Sequence, residues 1–192
     1  DADAWFLLGD LLFHGNPYRG RSIREARAPL ERAIALDPRR VSALGKLARL
    51  AALERRGEEV EQLAARIQTL SPDQDQALAV RALRAFTVGS RAEQDAIAAA
   101  LGEARALTVG IAFTDVAVYG PSLEGATRLG RALAGVARSG ELRALVHLML
   151  AHLAAATGDL SVCRAELQTA TGLDLPWAIE TRGLLVALPF LP

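Results

Sequence analysis

The run Trp5-Phe6-Leu7-Leu8-Gly9, taken with Ala33-Ile34-Ala35-Leu36-Asp37-Pro38, marks the two ends of a helix pair that recurs along the chain. Asp37 before Pro38 and Ser71 before Pro72 each place a capping side chain ahead of a proline. Proline suits the first helical position because the N–H it lacks would be unpaired there. Pro38 and Pro72 are 34 residues apart, and counting back from each pairs Ala33 with Ile67, Leu30 with Ala64 and Ala26 with Val60. In the second unit Leu44, Leu47, Ala48 and Ala51 precede a turn at Gly57. In the first, Trp5, Leu8, Gly9 and Leu12 take the matching places once an insertion of about five residues is allowed around 15–21. Near the end, Leu150, Ala151, Ala154, Gly158, Cys163, Leu167 and Ala170 repeat the rhythm, with Pro176 one residue late.

The rest of the chain reads as helix too. Of 192 residues 38 are Ala, and 21 of the 22 basic groups are Arg, with Lys46 the single Lys. Ala, Leu, Arg, Glu and Gln are strong helix formers. Only 5% of residues are aromatic, and no run alternates with the period of a strand. Capping boxes are expected at Ser22 to Glu25, Ser71 to Gln74 and Ser90 to Glu93. Gly57, Gly89, Gly120, Ser139-Gly140 and Gly158 read as terminators. The expectation is about eleven helices, at 2–14, 22–36, 39–56, 58–70, 73–88, 91–106, 108–119, 122–136, 140–157, 159–171 and 175–188. Pro29 predicts a kink or a later start in the second.

These residues resemble the tetratricopeptide repeat (TPR), whose period is 34 residues with a W…LG…A…P pattern. The resemblance is carried by 3–38, 41–74 and 144–177, while units near 74–106 and 108–137 are degenerate. It implies an all-α, right-handed TPR-like solenoid of about five helix hairpins plus a closing helix at 175–188, one domain over 1–192. Trp5 would fill the space between two antiparallel helices, and Trp177, Ile179, Leu184 and Leu185 would cover the open end. The long turn over 14–21 and Ala85-Phe86 before Gly89 are similar to helical-repeat regions of bacterial serine/threonine kinases and transcriptional activators. The start at Asp1, without Met, reads as a piece of something longer.

Charge and cysteine usage exclude several classes. With 22 basic and 22 acidic groups the net charge is zero, against a general nucleic-acid binder. One cysteine, Cys163, leaves no disulfide framework and reads as a small buried hydrophobe. The apolar segment 142–156 is shorter than the roughly 20 residues a bilayer needs and carries Arg143, His147 and His152. A cytoplasmic location is favoured, or a periplasmic one if a membrane span lies upstream.

No catalytic constellation, metal site or cofactor site is expected. His147 and His152 lie about 140° apart around one helix, where a metal pair takes i,i+4. Asp1/Asp3, Asp73/Asp75 and Glu58/Glu59 sit at helix starts, complementing the helix dipole. Arg-rich stretches at 19–27, 39–40 and 55–56 have acidic neighbours and read as a salt-bridged face.

The resemblance places the inner face of the first helix of each unit at Phe6, Asp10 and Phe13, then Ser42, Gly45, Arg49 and Leu53. Gln76, Ala79, Leu83 and Phe86 follow, and in the last unit Leu148 and His152. Lys46 alone falls near a position for clamping a terminal carboxylate, so that mode is not expected. Phe6, Phe13 and Phe86 either seat an apolar partner or fill the inner wall. A second candidate contact is Tyr18, Arg19 and Arg21 on the inserted turn, which the repeat does not need. The implied role is a non-catalytic scaffold that binds a protein or peptide segment within a larger bacterial regulatory protein. The alternative is a ligand-sensing regulatory domain of a kinase or transcription factor.

Overall fold

The computed structural model describes residues 1–72 and 75–172, and within them the chain is all-helical. The α-helices are α1 (Ala2–Gly15), α2 (Arg27–Leu36), α3 (Val41–Leu53), α4 (Gly57–Leu70) and α5 (Asp75–Thr87). They continue as α6 (Arg91–Gly102), α7 (Ala106–Tyr119), α8 (Leu123–Val136), α9 (Gly140–Ala156) and α10 (Leu160–Gly172). The helix expected at 175–188, with its end-covering residues, and the box closed by Gln74 lie outside the described residues.

Local chemistry explains most boundaries and corrects a few. Ser90 and Glu93 form the full capping box at α6, and Asp1, Ser122 and Ser139 cap α1, α8 and α9. Ser22 caps only the Arg24 N–H of a short 3-10 helix, Ile23–Ala26, because Glu25 turns to the Arg21 guanidinium instead. The later start at Pro29 is what forms: α2 begins at Arg27, so Pro29 occupies the first turn, where its missing N–H has no acceptor. Gly57 is no terminator. It opens α4, and α3 ends on Arg55 with a left-handed φ of 62°. The Arg56 N–H reaches back to the Ala51 carbonyl and Arg55 to Ala52, as in a Schellman end.

Each α-helix packs on its neighbours in sequence, and α3 also packs on α5, α5 on α7, α7 on α9 and α6 on α8. Two cores result. One gathers Leu30, Leu44, Leu47, Leu50, Val60 and Ile67 from α2, α3 and α4. The other gathers Leu101, Val109, Phe113, Leu129 and Leu133 from α6, α7 and α8. Helix α5 serves both, giving Val80 and Leu83 to the first and Ala82 and Phe86 to the second. Each such fully buried Leu or Phe contributes about 1.5–3 kcal/mol. Gly9 is required by close approach: a Cβ there would sit 2.7 Å from Leu30 Cγ.

Trp5 does not fill the space between helices; it is 39% exposed. The buried residues of α1 are Gly9 and Phe13, and Trp5 lies roughly 60° around the helix from them. Leu8, Leu7 and Leu11 are exposed beside it. Cys163 packs with Ala151 and Ala154 between α9 and α10. The Arg-rich face is ion-paired: Arg27, its side chain 16% exposed, reaches Glu54 and Glu59 at 2.7 Å each and Glu31 at 3.2 Å. Burial pulls its pKa down, but these three carboxylates together hold it above the ordinary arginine value.

Candidate functional site

Every residue lining a cavity of about 1000 Å³ stands on an odd-numbered helix. Polar chains come from α3, where Ser42, Lys46 and Arg49 recur at i, i+4 and i+7 and so share a face. Asp75 and Gln76 at the start of α5 join them. The opposite wall is mostly apolar, with Leu107, Gly110 and Ile111 of α7 and Leu145, Leu148 and Met149 of α9, and it also bears Thr114, Asp115 and Glu141. Phe13 and Tyr119 close one end, their ring centroids 5.9 Å apart.

The floor carries an ion pair between helices that are not neighbours in sequence. Arg49 Nε donates to Asp115 Oδ1 at 2.7 Å, with side-chain exposures of 13% and 5%. Oδ2 of Asp115 is enclosed without a hydrogen-bond partner. Burial pushes the Asp115 carboxyl above the ordinary aspartate value, against the opposing pull of Arg49. Burial also raises Tyr119. Lys46 Nζ meets Asp10 at 2.9 Å and lies over the rings of Phe6 and Phe13, 5.5 and 5.7 Å from their centroids. Asp75 accepts from the Thr108 hydroxyl at 2.6 Å and from Arg105.

The structure brings together only some of the residues expected on the inner face. Phe13, Ser42, Arg49, Gln76 and Leu148 line the cavity, and Asp10 stands at its edge through Lys46. Phe6 is half-buried under Lys46 and Arg40. Leu83 and Phe86 are corrected: exposed by 0% and 5%, they are core residues, because that side of α5 faces its flanking helices. Arg128 lies over the Phe86 ring. His152 is exposed away from the cavity, and His147 holds Glu166 of α10 at 2.6 Å.

The inserted turn is pinned rather than loose. Asn16 is 2% exposed and donates from Nδ2 to the Ser22 carbonyl, while its own carbonyl accepts from Arg19 and Arg21 N–H. Tyr18 is left 93% exposed and Arg19 exposed, while Arg21 pairs with Glu25 at 2.7 Å. Tyr18 and Arg21 border a second cavity of about 550 Å³ that shares Phe13, His14 and Tyr119 with the first. The two expected contact regions therefore adjoin.

The α7 residues were not foreseen, since the fourth unit has no repeat register. Asp115 is nevertheless visible as the one carboxylate in the apolar run of α7. Among the described residues, no group of three or more His, Cys, Asp or Glu is placed to hold a metal ion, and no helix is long and apolar enough to cross a membrane. Comparison with protein-family models, curated proteins and solved structures finds no match to the chain.

Proposed function

We propose that the chain is a TPR-like α-solenoid acting as a non-catalytic scaffold, binding a protein or peptide segment in its inner groove as one module of a larger bacterial regulatory protein. One observation carries the reading: the cavity is built solely from odd-numbered helices, which is what an inner layer of helix hairpins supplies. One wall is mostly apolar and the other polar, the composition of a peptide-recognition groove.

Panning a random peptide library on the purified chain tests this. Peptides enriched on the native chain are expected to lose binding to Leu148→Glu, with helical circular dichroism intact, and to keep binding to Val88→Glu. Equal binding to both variants would refute the groove as the working surface.

A ligand-sensing regulatory domain is the second reading, supported by the Arg49–Asp115 pair between α3 and α7. An occupant exchanging hydrogen bonds with that pair would alter how the two helices meet. A saturable thermal shift with a metabolite set, and none with the selected peptides, would favour it over the scaffold.

A further inference from the structure

The groove's lining carries three carboxylates, Asp75, Asp115 and Glu141, against two cations, Lys46 and Arg49. Its cations are already engaged, Lys46 by Asp10 and Arg49 by Asp115. Two carboxylates retain free capacity. Glu141 is exposed in the first turn of α9 and forms no ion pair among the described residues, and Asp115, deep in the floor, keeps Oδ2 without a donor.

The shape points to a helix. Leu107 and Ile111 on α7 are spaced i,i+4, and Leu145, Leu148 and Met149 on α9 are spaced i,i+3,i+4, so each helix raises a ridge. Because α7 and α9 pack on each other, the ridges flank a furrow that takes the side chains of a third helix. The cavity's 1000 Å³ equals about 13 Å of a helix about 10 Å wide, a little over two turns.

Resting on the scaffold reading above, we propose that the groove accepts a basic amphipathic helix of a partner protein. Its apolar stripe lies on the α7 and α9 ridges, and its Lys or Arg side chains reach toward Glu141 and the floor carboxylate of Asp115.

The test uses two labelled peptides of about 14 residues, about four turns, with the same Leu stripe but Lys in one and Glu in the other at the polar positions. Binding is read by fluorescence anisotropy. The Lys peptide is expected to bind at least about ten-fold tighter, a difference of about 1.4 kcal/mol. Its affinity should fall with added salt and in Glu141→Gln, an exposed change that leaves the core untouched. Asp115→Asn, checked for native helical signal, should weaken it further. If both peptides bind equally and both are lost in Leu148→Glu, the groove stands and its preference for a basic partner is overturned. If the Lys peptide binds but ignores all three variants, the groove and the inference fall together. If neither peptide binds, the inference is overturned while the library panning still decides the groove.

Discussion

Asp115 and Arg49 make a buried pair whose worth depends on both members staying. Arg49→Met removes the guanidinium and strands the carboxylate, at an expected cost of about 3 kcal/mol in chemical denaturation. Asp115→Asn is milder, since an amide oxygen can still accept from Arg49 Nε. Two acids with displaced pKa values, Glu93 and Asp115, respond to acid with opposite sign. Glu93 is held down from 4.5 to about 2, chiefly by the Arg84 guanidinium and then by the Ser90 N–H and hydroxyl. Its contribution is present above pH 4.5 and is lost as pH falls towards 2. Asp115 is raised above 3.8 by burial, so its contribution is greatest below that value and declines as pH rises. Thermal melts between those limits should therefore show Glu93→Gln losing less stability on acidification than the native chain. Asp115→Asn should lose more.

At the scale of elements, the end of α3 is the place where the chain tolerates an unfavoured backbone. Arg55 adopts the left-handed conformation at φ 62°, whereas the equivalent end of α9 uses Gly158 at φ 80°. Arg55→Gly is expected to raise stability by about 0.5–1 kcal/mol, read as a higher denaturation midpoint. Helix starts were legible where a capping box marks them, as at Ser90 and Glu93, because the signal is local, whereas Ser139-Gly140, read as a terminator, caps and opens α9. The α3 end was not legible, since a Schellman turn needs backbone geometry rather than a residue type, and Gly57 drew attention from Arg55. Cavity-lining positions were legible on α3, where Ser42 and Arg49 fall where the resemblance placed them. On α5 the register misplaced Leu83 and Phe86, and on α7 it offered nothing. Which side of α5 is covered depends on helices distant in sequence, so periodicity locates its apolar residues without saying which neighbour covers them. Trp5 shows the same limit: an aromatic at a motif position is buried only if its angle around the helix matches the packed face.

For the whole molecule, α5 is the seam. Leu83 belongs to the first core and Phe86, less than one turn on, to the second. Leu83→Ala should cost about 3 kcal/mol and lower a single melting transition, because both cores lose their shared support. The same substitution should leave the affinity of a groove-bound peptide unchanged at temperatures where the protein stays folded. A row of helices that touch only their neighbours can fray from an end, one hairpin at a time. Here the Arg49–Asp115 link joins residues 66 apart along the chain. Opening α10 or α9 leaves that clasp untouched, while opening α7 breaks it. Hydrogen exchange should thus find α10 opening before a block from α3 to α7 that opens as a unit.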